Sequence, residues 1–572
     1  MKSNRRLILN ISILVLINAI AFVFPFRLDF TEEKKYSLNE ASKEIVESID
    51  DVLYIKVYLD GDLPSGFIRL KQATKELIDE FKNYSNFIEY EFIDPNDYTN
   101  VSERNKLYKE LSENGLEPTQ LQLKEKSGSR EQIIFPGAIL YYKGRSISLN
   151  LLKNQLGTNP EKVLNNSIEN IEFELTVAFY KLLSNYKPKI AFLEGHNELN
   201  ELETADISHS LGNIRESLSE FFIVERLNIK EFEVNSNEMP SLANQLKRLQ
   251  TYKALIIAKP ILKFTKVDKF LIDQYIMNNG KTIWFIDGVI MDMDSLKGNQ
   301  AYSMAIPNDL NLTDMLFNYG VRVNHDIVMD FQADNIPIVI GYQGDVPQQQ
   351  LLPWLYHPIF IPKNNHPIVK NLDGIKSSFV SSLDTINVKG IKKTPLLFSS
   401  PYSKLPKAPH RVSINMLQQQ AEIENYNHGK IPVAYLLEGQ FKSIFKDRIV
   451  PSNENISPLA FSKENKMIVF GDGDFIKNHV SSTSLAYPLG YNHYSKTQYQ
   501  GNKPLIVNAL NYLLGNEKLI NVRSKEIYLR QLDKSKISEE KVKWQLINTV
   551  LPLLLVSIMV LLINLQRKKL YS

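Results

Sequence analysis

The sequence predicts a mixed α/β protein whose folded part lies between two membrane-spanning helices. Two uncharged runs of 20 residues, 7–26 and 546–565, are each long enough to cross a hydrocarbon core of about 30 Å. Between these runs, buried-type strands alternate with amphipathic helices, and this alternation predicts a parallel, doubly wound sheet. The composition is that of a globular protein, with 43% apolar and 23% charged residues in a chain of 572.

The composition also excludes several kinds of site. The chain has no cysteine, which rules out disulfides, thiol nucleophiles, zinc–thiolate sites and iron–sulfur clusters. With 67 basic and 64 acidic residues the net charge is +3, so no nucleic-acid partner is predicted. Neither a Gly-x-x-x-x-Gly-Lys-Ser/Thr phosphate loop nor a Gly-x-Ser-x-Gly motif occurs. No cofactor is predicted, and ATP hydrolysis has to come from another chain.

Both apolar runs carry a basic flank on the same side. Lys2, Arg5 and Arg6 precede the first run, and residues 567–569 come after the second. The positive-inside rule therefore places both flanks in the cytoplasm and the residues between the runs on the other side of the membrane. A cleaved signal peptide is an alternative for the first run, because Ala19-Ile20-Ala21 imitates a cleavage site. Two buried core helices are the other alternative.

Between the spans we predict two domains joined by a helix. The predicted division is a tail (1–6), a span (7–26), a stalk (27–35), a first domain (36–150), a connecting helix (151–187), a second domain (188–520), a stalk (521–543), a span (544–566) and a tail (567–572). The first domain reads β–α–β–α–β–β, which suggests a thioredoxin-like sandwich without a redox role, since no cysteine is present. Residues 331–365, rich in Pro, Gln and Gly, predict a long loop or an excursion from the domain.

The second domain is similar to class I glutamine amidotransferase-like domains. Residues 189–193, 254–258 and 282–286 are buried-type strands, with helices predicted near 208–222 and 267–279. An amidotransferase needs a cysteine at a sharp turn after a strand. Here the strand Ala254–Ala258 leads into Lys259-Pro260, so the nucleophile is missing and the domain is predicted to be non-catalytic.

Short motifs accompany this layout. They are Tyr36-Ser37-Leu38 near the start, KIAFLEGHNE at 189–198 and Gly471-Asp472-Gly473-Asp474-Phe475. Together with the two spans, they make nearly the whole chain resemble the gliding-motility-associated ABC-transporter component family GldG. The resemblance implies a bacterial inner-membrane protein with a large periplasmic part, partnered by an ABC permease and a cytoplasmic ATPase. Membrane lipid contacts the spans, and a homodimer within the transporter is compatible with this layout.

The first candidate site comes directly after the strand at 189–193. Glu194, His196 and Glu198 combine two carboxylates with an imidazole, which suits a ligand, a metal ion or acid–base chemistry. The alternative is a structural turn, in which Gly195 supplies backbone freedom and Asn197 or Glu198 caps the next segment of the chain. The structural turn is the interpretation we favour, and no metal is predicted.

The second candidate site also lies at strand ends. Asp472 and Asp474 are two residues apart after one strand, and Asp287 comes after another. Carboxyl ends of parallel strands share one edge of a sheet, where ligands bind in doubly wound folds. The segment lacks the further acidic positions of an EF-hand loop, so a tight turn with helix capping is the favoured alternative.

An aromatic segment is the best candidate for an exposed patch. It contains Trp354, Tyr356, His357 and Phe360 within the predicted loop. Proline-rich packing is the alternative interpretation of this segment.

The sequence therefore predicts a non-catalytic, membrane-anchored periplasmic component of an ABC transporter linked to gliding motility, which acts in cargo binding or coupling. One alternative is a scaffold that transmits transporter motion without binding small molecules. The other is a metal-dependent periplasmic hydrolase.

Overall fold

A computed structural model describes most of the chain from residue 37 onward. The described residues are 37–97, 100–125, 128–153, 159–184, 186–209, 217–231, 241–296, 302–418, 421–451, 456–516, 520, 522 and 534–571. The predicted first span, its tail and the first stalk lie outside these residues. The chain divides into two compact units, Met1–Lys525 and Glu526–Ser572, which we describe separately.

The N-terminal part of the first unit begins with the predicted alternation of strands and helices, but it ends with four strands where the sequence predicted two. Its helices are α1 (Glu40–Glu47), α2 (Ser65–Lys82), α3 (Val101–Glu113) and α4 (Pro160–Leu183). Its strands are β1 (Leu53–Val57), β2 (Ile88–Phe92), β3 (Thr119–Glu125), β4 (Gly128–Ile134), β5 (Gly137–Tyr142) and β6 (Arg145–Asn150). A four-stranded sheet runs β2-β1-β5-β6, with β1 and β2 parallel and the other pairs antiparallel, while β3 and β4 form a separate hairpin.

Helix α4 packs on this sheet as part of its core. The helix begins after Asn159, whose side chain accepts the Glu161 N–H at 2.9 Å. Ile171, Leu175 and Phe179 share one helical face and join the buried cluster of the sheet. At the position after Ile171, the Glu172 carboxylate accepts a hydrogen bond from the Ser42 hydroxyl at 3.0 Å. The predicted connecting helix is therefore integral to the N-terminal core.

The rest of the first unit contains short helices and many strands. The helices are α5 (Ala205–His209), α6 (Leu218–Phe221), α7 (Leu242–Gln250), α8 (Lys266–Met277), α9 (Thr313–Tyr319) and α10 (Asn502–Leu513). The first ten strands are β7 (Lys189–Glu194), β8 (Ile223–Asn228), β9 (Ala254–Ala258), β10 (Lys281–Phe285), β11 (Val289–Ile290), β12 (Tyr302–Pro307), β13 (Val321–Val323), β14 (Met329–Asp330), β15 (Ala333–Gln343) and β16 (Val346–Phe360). The others are β17 (Ile375–Lys376), β18 (Leu383–Thr385), β19 (Ile391–Phe398), β20 (Ser403–Lys404), β21 (His410–Ser413), β22 (Pro432–Lys442), β23 (Phe461–Phe470), β24 (Tyr491–Asn492) and β25 (Thr497–Gln498).

A seven-stranded sheet organises this part of the chain. Its strand order is β19-β22-β23-β10-β9-β7-β8. The strands from β23 to β8 are parallel, whereas β22 and β19 are antiparallel additions at one edge. The prediction of a parallel doubly wound sheet is therefore correct for five strands and wrong for two. The antiparallel pair arises because β22 and β23 are joined without the helical crossover that parallel neighbours need.

The core lies on both faces of this sheet. In β7, Ile190 and Phe192 join one buried cluster, while Ala191 and Leu193 join the cluster on the opposite face. Helix α10 contributes to the first cluster, and helices α7 and α8 contribute to the second. A strand covered on both faces reads as a continuous apolar run, which is why the sequence identifies β7, β9 and β10 so clearly.

Of the two predictions for residues 331–365, a loop or an excursion, the loop is wrong. The structure has a long antiparallel hairpin here, formed by β15 and β16. The two strands of the hairpin contain four prolines, which are typical of a loop; a strand tolerates proline where the missing N–H faces an unpaired edge. The predicted exposed patch is wrong as well, because Trp354, Tyr356, His357 and Phe360 are all buried.

The predicted helix at 208–222 is only partly observed. Helices α5 and α6 fall at its two ends, and residues 210–216 between them lie outside the described part of the chain.

The second unit contains one long helix. Helix α11 spans Lys534–Tyr571 and continues through Pro552. Its segment Lys543–Arg567 has a mean hydropathy of 2.7 and, by length and composition, is the one candidate membrane span among the described residues. This segment contains the predicted second span.

Candidate functional site at the carboxyl edge of the sheet

The candidate residues lie where the parallel strands end. Strand β7 pairs with β8 on one side and with β9 on the other. The connection from β7 to β8 therefore runs to one side of β7, and the connection from β8 to β9 returns to the other side. Such a switch point leaves a crevice outside the carboxyl ends of the strands, where doubly wound proteins bind ligands. His196 comes after β7, Lys259 after β9 and Asp287 after β10.

Lys259 occupies the turn directly after β9. Its φ is +56°, a left-handed conformation that a residue other than glycine adopts only when its surroundings enforce it. The backbone N–H of Lys259 donates to Phe285 O at 2.9 Å, which ties the turn to β10. A Cβ at Gly473 would lie 2.3 Å from the Lys259 Cβ, so only glycine allows this close approach. The sharp turn that would present a nucleophile in an amidotransferase-like domain thus presents a lysine.

Three aspartates surround the Lys259 ammonium group. Its Nζ is paired with Asp474 and lies 3.3 Å from Asp287 Oδ2. Asp287 also accepts the Gly473 N–H at 2.6 Å. Asp472 accepts from the Ser377 hydroxyl and from the Asp474 N–H, the latter at 3.0 Å. The structure therefore brings together Asp287, Asp472 and Asp474 around a lysine.

The electrostatics of this cluster favour a charged lysine. Burial lowers the pKa of Lys259, but Asp287 and Asp474 outweigh burial and hold this pKa well above its usual value. Burial raises the pKa of Asp474, yet the nearby Lys259 brings it below its usual value. For Asp472, burial and the like charges of Asp474 and Asp287 raise the pKa well above its usual value. A raised pKa holds the lysine in its protonated form, which disfavours a role as nucleophile or general base.

His196 and Glu198 form a separate buried cluster with Asp268. His196 Nδ1 lies 3.1 Å from Glu198 Oε1, and His196 Nε2 lies 3.0 Å from Asp268 Oδ2. The imidazole also stacks on Phe264, with a centroid distance of 3.6 Å. Burial lowers the pKa of His196, but its hydrogen bonds to Asp268 and Glu198 outweigh burial and raise this pKa. When the imidazole is protonated, both ring nitrogens donate to carboxylates.

This second cluster fixes the turn after β7 to helix α8. Asp268 is the third residue of α8 and forms a reciprocal capping box with Thr265. Backbone N–H groups of Ile261 and Leu262 donate to His196 O. The arrangement satisfies every group involved within the protein, which is typical of a structural network.

Glu194 joins neither cluster. Its carboxylate accepts from Arg226 Nε, and Arg226 also donates to Leu199 O. The six residues predicted from the sequence are therefore distributed over three arrangements. Among the residues the structure describes, no group of three or more His, Asp and Glu side chains could hold a metal ion.

A cavity of about 630 Å³ opens beside the Lys259 cluster. Lys259 and Asp474 form part of its wall, and His357 from β16 forms another part. The sequence motifs missed this cavity because its wall comes from segments far apart in the chain. The wall also includes Lys376, Ser378, Phe379, Lys477, His479, Tyr491, His493 and Tyr494.

Lys259 and His357 are the functional candidates that motif reasoning missed. Lys259 had one signal, since it comes directly after a buried strand, at the place where an amidotransferase-like domain would carry its nucleophile. The sequence marks His357 only as part of an aromatic segment. Its burial depends on the hairpin that the sequence did not predict.

Comparison with known proteins supplies the family. Residues 187–509, more than half of the chain, match a family described as an ABC-type uncharacterized transport system. Residues 32–141 match a domain family of unknown function.

Two individual proteins are also similar. An uncharacterized protein of Borreliella burgdorferi (strain B31) is 24% identical over 561 residues, which cover 97% of this chain and 94% of the relative. A solved structure, the mmIFT52 N-terminal domain, is 13% identical with a TM-score of 0.30, covering 57% of this chain and 97% of that one. A TM-score of 0.30 does not indicate a shared fold. The family match is decisive, and the chain belongs to the auxiliary-component family of ABC-type transport systems.

Proposed function

We propose that this chain is a non-catalytic, membrane-anchored component of a bacterial ABC transporter linked to gliding motility, of the GldG type. The observation that carries the non-catalytic part is the Lys259 cluster. The turn that would present a nucleophile holds an ammonium group paired with Asp287 and Asp474. A transport role agrees with the family, and the chain's lack of a phosphate loop assigns ATP hydrolysis to a partner.

Anchoring by two spans is the second part of the proposal. The segment Lys543–Arg567 supports one span. The apolar run at 7–26, which lies outside the described residues, is proposed as the other. The basic flanks of both runs support cytoplasmic tails and a periplasmic location for the domains between them. We further propose a thioredoxin-like first domain, and the β2-β1-β5-β6 order with one parallel pair supports it.

The partners are an ABC permease and a cytoplasmic ATPase. Two spans are too few to enclose a transport path, so a permease has to supply it. Membrane helices associate through close packing and scattered polar groups, and Asn548 and Asn564 are such groups in the second run. A second copy of the chain is compatible with this assembly. Cargo binding is favoured over a pure scaffold because the cavity beside Lys259 has the size of a small-molecule site.

Native affinity purification in mild detergent tests this role. We expect the full-length chain to retain a permease and an ATPase. Residues 28–540 alone should fold and lose most of both, because they lack the proposed helix–helix contacts. A matched control replaces residues 546–565 with an unrelated apolar span of equal length; this variant should stay in the membrane and still lose partners. Undiminished partner yield with residues 28–540 would contradict the membrane-mediated assembly and make the periplasmic surface the main interface.

A further inference from the structure

We propose that the cavity beside Lys259 binds an uncharged small molecule that presents a hydroxyl or amide group to His357. The proposal extends the transport role, and it rests on that role only for the identification of the bound molecule with cargo. Three features of the cavity support it: an imidazole nitrogen without a partner, lysines that are already paired, and aromatic rings on the wall.

The imidazole of His357 is the feature that points to a ligand. The residue is only 6% exposed, and its Nε2 has no hydrogen-bond partner among the described residues. A buried polar group without a hydrogen-bond partner destabilises the fold, so such a group in a cavity wall calls for a functional explanation. Phe379 packs edge-on against the His357 ring, with 5.5 Å between the ring centroids, and this contact fixes the orientation of the imidazole.

The charges on the wall disfavour an anion. Lys259 is paired with Asp474, Lys477 lies 3.2 Å from Glu203, and Lys376 lies 3.5 Å from Asp334 Oδ2. Each lysine of the wall therefore already has a carboxylate partner. Asp292 and Asp294 add further negative charge to the wall. An incoming carboxylate or phosphate would have to displace one of these pairs.

The imidazole itself also suits a neutral ligand. Burial and the nearby Lys376 ammonium lower the pKa of His357 to about 3, so the ring is neutral at physiological pH. A neutral imidazole offers a donor at one nitrogen and an acceptor at the other. A hydroxyl or a primary amide can pair with Nε2 whether that nitrogen donates or accepts, whereas a deprotonated carboxylate can only accept.

The remaining wall suits a small organic molecule. A volume of about 630 Å³ lies within the range of small-ligand pockets, roughly 300–1,000 Å³. Phe379, Tyr491 and Tyr494 place aromatic rings on the wall, and Ser377 and Ser378 add hydroxyls. The wall as a whole is more polar than apolar, and placed polar groups fix a ligand's orientation in such sites.

Saturation-transfer NMR on the purified full-length chain in detergent tests the proposal. The neutral probes are trehalose, which presents hydroxyls, and N-acetyl-alanyl-alanine amide, which presents amides. The anionic probes are inorganic phosphate and succinate. We expect saturable binding of at least one neutral probe and none of either anion. Which neutral probe binds decides between hydroxyl and amide recognition.

The matched variants are His357→Phe and His428→Phe. His428 is exposed and does not contribute to the cavity wall. His357→Phe keeps an aromatic ring at this position and removes Nε2. We therefore expect the affinity for the neutral probe to fall at least tenfold, with an unchanged or higher melting temperature. His428→Phe should bind normally. If His357→Phe fails to fold, Ser378→Leu narrows the same cavity and should also lower affinity.

Three results would overturn the proposal. The first is saturable binding of phosphate or succinate. The second is binding of a neutral probe that both cavity variants leave unchanged. The third is that neither neutral probe binds at millimolar concentration. Because this assay uses the isolated chain, its failure leaves the association with permease and ATPase standing.

Discussion

Replacing Lys259 with methionine is expected to lower the free energy of unfolding of the first unit by about 3–5 kcal/mol, the usual cost of removing one partner from a buried ion pair. The Lys259 side chain is 15% exposed, and its removal leaves Asp287 and Asp474 close together without their cation. Urea unfolding followed by tryptophan fluorescence measures the change, because Trp284 and Trp354 are both fully buried in this unit.

Lys263→Met is the matched control for this substitution. Lys263 lies on the same loop and pairs with Asp309, but its side chain is 65% exposed. Exposed pairs contribute about 0–1 kcal/mol, so this variant should unfold almost like the parent. Adding Asp474→Asn to Lys259→Met should recover part of the loss. Equal effects of the two lysine substitutions would contradict a buried structural role for the cluster.

Replacing His196 with leucine is expected to lower the free energy of unfolding by about 3–6 kcal/mol, since a charge-assisted hydrogen bond contributes about 1.5–3 kcal/mol and two are lost. Asp268 and Glu198, both buried, would then have no cation between them. Transport-linked function should persist where abundance is unchanged, because the cluster has a structural role. Urea unfolding near pH 6 measures the loss, with His428→Leu as the exposed control.

The His196 contribution also has a defined pH dependence. The pKa of His196 is raised in the folded chain, whereas the pKa of a histidine in the unfolded chain is about 6.5. The folded state therefore binds the proton more tightly, and this stabilisation is complete below about pH 6.5. It is lost as the pH rises through the folded pKa, so the gap between parent and variant should narrow. A gap that widens on going to higher pH would contradict a charged His196.

The sheet was predictable because its signals are local. Strands β7, β9 and β10 are covered on both faces, so each appears as an apolar run that ends at a polar turn. The same reasoning correctly placed Asp287, Asp472 and Asp474 at one edge. It missed the antiparallel direction of β22, because direction depends on a connection rather than on the residues of the strand.

The cavity was not predictable because its wall is assembled from distant segments. His357 reaches it from a hairpin whose four prolines resemble a loop, and Lys376 reaches it from the short strand β17. The partner of Lys259 is similarly distant, since Asp474 lies 215 positions along the chain. Sequence spacing alone gives no account of pairings that depend on the tertiary fold.

Competitive labelling of amines tests the central claim most directly, namely that the turn after β9 holds a paired ammonium in place of a reactive group. The purified chain is treated with limiting acetylating reagent near pH 8, and modification of each lysine is measured by peptide mass spectrometry. Lys281 is the internal reference, because burial and the nearby Lys466 lower its pKa to about 8. Only the unprotonated amine reacts, so the account predicts that Lys259 is modified far more slowly than Lys281. Faster modification of Lys259 than of Lys281 would identify a reactive amine there and contradict the account.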